Sequence, residues 1–461
     1  MTVLGAAEFL GLFRRGAISA EGHVNDLLGR IAENQELNVF TWFAPSQVLE
    51  AARAADARRA RGEPLGRLAG LPLIVKDNIN TVGFPTSAGT RALKAFHPSV
   101  NAPVWQRLAD EGALLLGKAN MHELAAGSTS SNPVFGVVRN PHARAHIPGG
   151  SSGGTAAAIA AGLAPAGLGT DTVGSVRAPS CFCGIAGLRP TTAETRAYSP
   201  EGVVPLTRLF DTIGPMAASV ADLVPLHEVI TGATVPSLAS AGLRIGLSME
   251  PFWTDLDPQV ERVVRAARDQ LAAAGMRFVP LDLGDLVARA TALHGKILGL
   301  GAAADIADFL TRQQAPVSLE AVIAGIASQD VRTRLEAEPA GGFDPDEVRA
   351  ELRGLREEFG AQLRGAGVAA IMYPTAPILP PLIRPEGDRA DDTMVFNGRE
   401  VSSAFTPVRH SRYAAGLGIP ALTIPAGRTA SLLPAGLEFA APAHDDSLLL
   451  GVGLAAEAAL G

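Results

Sequence analysis

From Ala145 to Thr170 the chain carries no Asp, Glu, Lys or Arg, and no other stretch limits the fold as strongly. It is long enough to span a bilayer, but a membrane helix needs ~20 predominantly apolar residues in succession. Pro148, Gly149, Gly150, Ser151, Ser152, Gly153, Gly154 and Pro165 interrupt it. The reading left is a glycine-serine loop entering an alanine-rich helix over 155–163 that is buried on all sides. Such a helix needs a large core around it. The 461 residues, 47% hydrophobic and 18% charged, provide that core and exclude wholesale disorder. A net charge of −7 with no basic run argues against binding a nucleic-acid backbone, because nothing gathers cations against phosphates.

Around this stretch, short apolar runs alternate with helical patterns. Residues 71–75, 113–116, 166–168, 243–247, 278–281, 368–373, 422–425 and 435–439 read as strands. Residues 104–111, 258–274 and 447–459 read as helices. Residues 1 to about 65 read as helices, and 284 to about 365 as mostly helical, the latter broken by a loop marked by Gly341, Gly342, Phe343 and Asp344. Residues 384–412 are polar and are expected to form an irregular, mobile loop. The alternation predicts an α/β fold on a largely parallel sheet. The opening MTVLGAAEFLGLFRR has no basic region and no clear cleavage site, so no signal peptide is expected. Cys181 and Cys183 read as small buried thiols in a reducing compartment, and a cytoplasmic protein is expected.

Three places carry candidate chemistry. Lys76 closes the run 71–75 and precedes Asp77 and Asn78. A surface lysine is the ordinary reading. Sites in open α/β sheets, however, lie at strand ends, and burial there would lower a lysine pKa towards neutrality. The second place is Gly149-Gly150-Ser151-Ser152-Gly153-Gly154, where N–H groups at a helix start suit an anion or an oxyanion. It lacks the GK[ST] of a phosphate loop. It matches G-x-S-x-G on Ser151 and on Ser152, but Pro148 suits the required preceding strand poorly. A plain glycine loop capping a helix has the same look. The third place is Gly169 to Arg177, a turn around Ser175 that follows the strand 166–168, and an ordinary strand-to-loop turn would share it. The nine histidines show no metal spacing. His410 and His444 lie downstream of the serines, which leaves a Ser…Asp…His order open. No cysteine/histidine ligand set and no dinucleotide fingerprint appears, so neither metal nor organic cofactor is expected. Two serines and a lysine together suggest nucleophilic acyl transfer, since a serine hydroxyl needs a base and Ser–Lys pairs provide one.

On these residues the chain resembles the amidase signature family. GGSSGG (149–154) followed by GTDTVGSVRAPS (169–180) is the most specific part. The spacings match too: 75 residues from Lys76 to Ser151 and 24 from Ser151 to Ser175. The likeness runs from about Gly70 through Thr192 and continues in 202–223, 373–377, 418–427 and 433–439. Segments 121–132, 149–179 and 201–216 look most like mandelamide and indoleacetamide hydrolases, which act on small aryl-acyl amides.

The resemblance implies a Ser–cis-Ser–Lys triad, with Ser175 as nucleophile, Ser151 as the bridging serine after a cis peptide with Gly150, and Lys76 as base. It implies an oxyanion hole from the backbone N–H groups of Thr172, Val173, Gly174 and Ser175. Gly127 and Ser128 fall on the substrate-side loop, and Ser152, Asp171 and Arg177 support the site. The commoner family pattern has two glycines before the nucleophile. Val173 replaces the first, which predicts a negative φ there and a valine that shapes the pocket. The implied fold is one domain over 1–461 built on a large mixed, mostly parallel central sheet with helices on both faces. Within it lie N-terminal helices (1–65), a catalytic core (66–225), a helical pocket-lining region (284–365) and a mobile loop (384–412). Leu298, Leu300, Phe309, Phe396 and Phe405 are candidate pocket residues, although core packing explains each equally well. The expected partners are a small-molecule amide and water, with no nucleic acid and no membrane, the chain acting as a monomer or homodimer. Carbamate (urethane), ester or anilide hydrolysis by the same triad stays open. An amidotransferase A-type subunit is disfavoured by the lack of a clear match to its glutamine-binding positions, and a non-catalytic binding homologue by the intact triad.

Overall fold

The computed structural model describes residues 4–192, 197–298, 301–336 and 344–461. Its strands, in chain order, are β1 (Phe40–Phe43), β2 (Pro72–Lys76), β3 (Leu114–Ala119), β4 (Ser131–Asn132), β5 (Gly136–Val137), β6 (Ala166–Asp171), β7 (Ala186–Arg189), β8 (Thr212–Ala217), β9 (Arg244–Leu247), β10 (Arg277–Pro280), β11 (Ala370–Pro374), β12 (Thr393–Phe396), β13 (Arg399–Ser402), β14 (Ala421–Arg428) and β15 (Pro434–Ala440). Eleven of them form one sheet in the order β1-β3-β2-β6-β8-β7-β14-β15-β11-β9-β10, while β4–β5 and β12–β13 pair separately. The eight expected strands are all present within a few residues of their expected bounds.

The α/β class and the large mixed sheet agree with the sequence reading. Parallel pairing, expected to predominate, is found in two groups of three, β3-β2-β6 and β11-β9-β10. The reason is the connections. Pro103–Asp110 lies between β2 and β3, Gly153–Ala160 between β3 and β6, and Pro258–Ala273 between β9 and β10, as parallel crossovers require. The remaining neighbours, from β6 through β8, β7, β14 and β15 to β11, and β1 on β3, are antiparallel.

Two expectations need correction. Residues 4–65 are not helical throughout, because Phe40–Phe43 forms edge strand β1 on β3. Residues 384–412 are not irregular: they contain the β12–β13 hairpin, turned at Asn397 (φ 48°) and Gly398 (φ 75°), the left-handed pair that a tight hairpin favours. The expected loop markers Gly341, Gly342 and Phe343 lie outside the described residues. Asp344 caps the helix Pro345–Ala366 by accepting from Asp346 N.

The buried alanine helix runs over Gly153–Ala160, with Gly153 to Ile159 fully covered. It packs on β2, β6 and β8. Contact this close demands glycine at the loop. A Cβ on Gly154 would lie 2.2 Å from Asn120 O, and Gly149 combines φ 84° with only 2.8 Å to Pro179 Cα. Neither obstacle is a flexible side chain. Gly154→Ala is therefore expected to lower stability by roughly 1–3 kcal/mol or more through overpacking, seen as a lower midpoint of thermal unfolding. An unchanged midpoint would show that the loop shifts freely.

Candidate active site

Strand β2 ends at Lys76, fully buried, with β6 alongside in parallel register (Val75 opposite Leu168). That register carries Thr170 past the lysine. Lys76 Nζ donates to Thr170 Oγ1 at 2.8 Å and to Ser151 Oγ at 2.7 Å, and lies 3.4 Å from Thr170 O. Asn78 Nδ2 also donates to Thr170 Oγ1 (3.1 Å). Burial pushes the Lys76 amine down to about 7, against the pull of Asp171 and Asp211. Below it, Lys118 holds the departing loop by donating to Ile79 O (2.7 Å) and Pro85 O (3.1 Å), beside Asp77 at 3.4 Å.

Ser151 sits in the glycine loop after a cis Gly150–Ser151 peptide. Its neighbour Ser152 ties that loop to β6, donating from Oγ to Thr170 O (3.2 Å) and accepting from Thr170 N (3.3 Å). Ser152 N also donates to Ser175 O (3.2 Å), so the two serine segments are joined through the backbone. Ser130 Oγ closes the other side, donating to Gly149 O (3.0 Å) and accepting from Gly153 N (3.1 Å).

Ser175 is 7% exposed and faces a narrow cavity with Gly127, Ser128, Val173, Leu206, Phe405 and Val408. Among the described residues its hydroxyl has no hydrogen-bond partner, and the Ser151 and Ser175 hydroxyls are not bonded to each other. Catalytic hydrogen bonds are often long in unliganded enzymes and tighten on binding. The N–H groups of Thr172, Val173, Gly174 and Ser175 are likewise unbonded among the described residues. Val173 has no positive φ and lines the cavity. Gly174 has φ 154°, and a Cβ there would meet Ser411 Cβ at 2.7 Å.

A fully buried ion cluster backs this turn. Arg177 donates Nε to Asp171 Oδ2 and Nη2 to Asp171 Oδ1 (both 3.0 Å), and Nη1 to Glu438 Oε1 (2.5 Å) and Ser411 O (2.8 Å). Arg189 Nη1 adds 2.9 Å to Asp171 Oδ1, and Val176 N donates to Asp171 Oδ2 at 3.1 Å. Burial alone would raise the Asp171 carboxyl, but Arg177 and Arg189 hold it well below the usual carboxylate range. Thr172 Oγ1 donates to Asp211, a carboxyl that burial raises to about 6. His294 Nε2 donates to Thr172 O (3.0 Å), its ring pushed down to about 3 by burial and so neutral.

Gly127 leaves no room for a side chain, since a Cβ would meet His122 Nε2 at 2.2 Å. Ser128 Oγ donates to Ala404 O (2.9 Å). Both Ser128 and Ala404 also line a second cavity of about 320 Å³ under Arg384, Asp388 and Met394. Of the five apolar candidates, Phe405 alone among the described residues lines the Ser175 cavity. Phe309 belongs to a satellite core cluster with Phe96, against which Leu298 packs, and Phe396 belongs to one with Phe182. Leu300 lies outside the described residues. The histidine alternative has no geometry behind it: His410 Nδ1 donates to Pro374 O (2.7 Å), and His444 contributes a backbone N–H to Thr191. Thr170, Asn78, Asp211, His294, Glu438, Leu206 and Val408 were not anticipated. Thr170 and Asn78 could have been, since they flank Asp171 and Lys76 within the motifs already singled out.

Residues 23–450 match the family model described as Amidase. The chain belongs to the amidase signature family. It is 32% identical to mandelamide hydrolase of Pseudomonas putida, covering 99% of this chain and 92% of that one. It is 33% identical to the A-type subunit of glutamyl-tRNA(Gln) amidotransferase from Synechococcus sp. (strain RCC307), covering 95% and 94%. Among solved structures it superposes on the native peptide amidase from Stenotrophomonas maltophilia with a TM-score of 0.83, at 29% identity, covering 98% and 96%. As a member of this family the chain is a hydrolase acting on amides. No helix among the described residues is long and apolar enough to cross a membrane.

Proposed function

We propose that the chain is a serine amidohydrolase that cleaves the C–N bond of a small aryl or otherwise hydrophobic amide through an acyl-enzyme on Ser175. The observation that carries this is the 2.7 Å contact between Lys76 Nζ and Ser151 Oγ in a site closed to solvent. A neutral amine has two N–H bonds and one lone pair. Thr170 Oγ1 and Thr170 O accept the two N–H groups, which leaves the lone pair for the Ser151 proton. Ser151 Oγ takes the Ser175 proton as Ser175 Oγ attacks the carbonyl carbon. The oxygen that becomes negative is held by the unbonded N–H groups of the 172–175 turn, each such donor being worth ~3–4 kcal/mol of barrier. As the C–N bond breaks, the amine receives its proton from Ser151, which recovers one from Lys76. Water then cleaves the acyl ester by the same relay. Asp171, Arg177 and Ser152 keep the turn in place, and Gly127 and Ser128 form the substrate wall. The apolar side chains of Val173, Leu206, Phe405 and Val408, and the likeness to mandelamide hydrolase, favour a hydrophobic acyl group.

A fluorophosphonate probe is expected to add once to the protein, with the mass on the peptide containing Ser175 and no adduct in Ser175→Ala. Phenylacetamide turnover should vanish in that same variant. An adduct confined to another residue, or full turnover by Ser175→Ala, would end this reading. A parallel panel of esters, anilides and carbamates ranks the leaving groups by kcat/KM. A strict need for glutamine and a co-purifying partner would indicate an amidotransferase component instead.

A further inference from the structure

Several arginines around this site are ion-paired. Arg177 and Arg189 meet Asp171, Arg409 meets Asp255 and Arg384 meets Asp392. Arg412 has no such partner. It follows Ser411, the residue packed against Gly174, and its guanidinium carbon stands 5.1 Å from the centre of the Phe405 ring. Among the described residues it makes no ion pair and no hydrogen bond, and its Nε is buried and unpartnered. Arg334 approaches the same ring at 5.9 Å and lines the Ser175 cavity directly. It donates Nη1 to Ala126 O and also forms no ion pair among the described residues. The carboxylate of Asp330, four residues before Arg334, bonds His122 Nε2 at 3.1 Å and also acts on Arg334 from beyond ion-pair distance, so the uncompensated cation is chiefly Arg412. Two guanidinium groups therefore share one aromatic ring at the wall of the cavity, without a carboxylate between them.

A cation withdrawn from water without a counter-charge is unfavourable, and a guanidinium matches a carboxylate with two parallel hydrogen bonds. We propose that Arg412 and Arg334 form an anion subsite beside the Ser175 cavity, and that the preferred substrates are amides carrying a carboxylate at the end remote from the scissile bond. The hydrophobic body of such a substrate lies along Phe405 and its carboxylate reaches the arginines. This rests on Ser175 being the nucleophile and adds the substrate class to that reading.

The test uses the full chain and matched amides: succinamate against butanamide, glutaramate against pentanamide, and para-carboxyphenylacetamide against para-methylphenylacetamide. The quantity read is the ratio of kcat/KM within each pair. In the wild type at least one carboxylated member is expected to lead its neutral partner by about tenfold or more, the scale of a charge-assisted contact. Arg412→Gln should bring that ratio close to one, chiefly through KM, and Arg412→Lys should restore part of it. Arg334→Gln should lower it as well. A ratio that never exceeds one in the wild type, or one that Arg412→Gln leaves intact, overturns the proposal. Failure of the Ser175 reading is seen separately, as no fluorophosphonate adduct and no turnover of either member. In that case para-carboxyphenylacetate is the probe. It should raise the thermal midpoint of the wild type and not of Arg412→Gln, and equal shifts in both would overturn the subsite.

Discussion

Lys76→Met is expected to lower kcat on a good amide substrate by roughly 10⁴-fold or more while KM changes little, because a base acts in the transition state and not in substrate binding. Methionine keeps an unbranched stem in a position with no exposure, so the variant should still fold, which circular dichroism and thermal unfolding check directly. The pH profile makes the same point without mutation. The relay needs the free amine, and burial brings Lys76 down to about 7. Activity should therefore rise from the acid side through about pH 7 and level off above it. An ordinary lysine would place that rise near 10.5. A rise centred there, or a Lys76→Met enzyme of near-normal kcat, would remove the lysine from this role.

Arg177→Met is expected to carry the largest loss of stability, about 3–5 kcal/mol, as removing one partner of a buried ion pair typically does. The guanidinium is fully buried and bonds Asp171 twice, Glu438 once and the Ser411 carbonyl once. Without it Glu438 loses its cation and Asp171 keeps only Arg189, and burial then drives the Asp171 carboxyl towards the protonated form. Urea unfolding measures the effect, and a change under about 1 kcal/mol would mean that the cluster relaxes around the gap. Activity should fall with stability, since Val176 N and Ser411 both hang from this cluster beside the Ser175 turn.

Eight of the eleven sheet strands and the three motif-bearing turns were legible because their apolar runs are bounded by glycine or charge. Edge strand β1 and the central β7 and β8 were not. β7 reads AGLR and β8 reads TIGPMA, both buried throughout, so no alternation marks a face. Pro215 moreover sits opposite Leu168 in the middle of the sheet, where proline ordinarily argues against a strand. The β12–β13 hairpin carried its own signal in Asn397-Gly398, hidden by polar flanks. At the site, Lys76, Ser151 and Ser175 could be named from local pattern. Leu206, Arg334 and Val408 could not, because each reaches the cavity from a segment whose own sequence says nothing of Ser175. Phe309 and Phe396 failed for the opposite reason: an apolar residue in a pocket-bearing segment is as easily absorbed by a satellite cluster.

The β12–β13 hairpin pairs only with itself, yet the segment that contains it roofs the cavity next to the one holding Ser175. The floor is different in kind: Lys76, Thr170 and Asp171 belong to strands locked into the eleven-stranded sheet. Roof and floor are thus held by separate hydrogen-bond systems, and no hydrogen bond joining Lys76, Ser151 and Thr170 involves residues 384–404. Replacing 384–404 is therefore expected to reshape the adjoining cavity while leaving the lysine-serine floor in place.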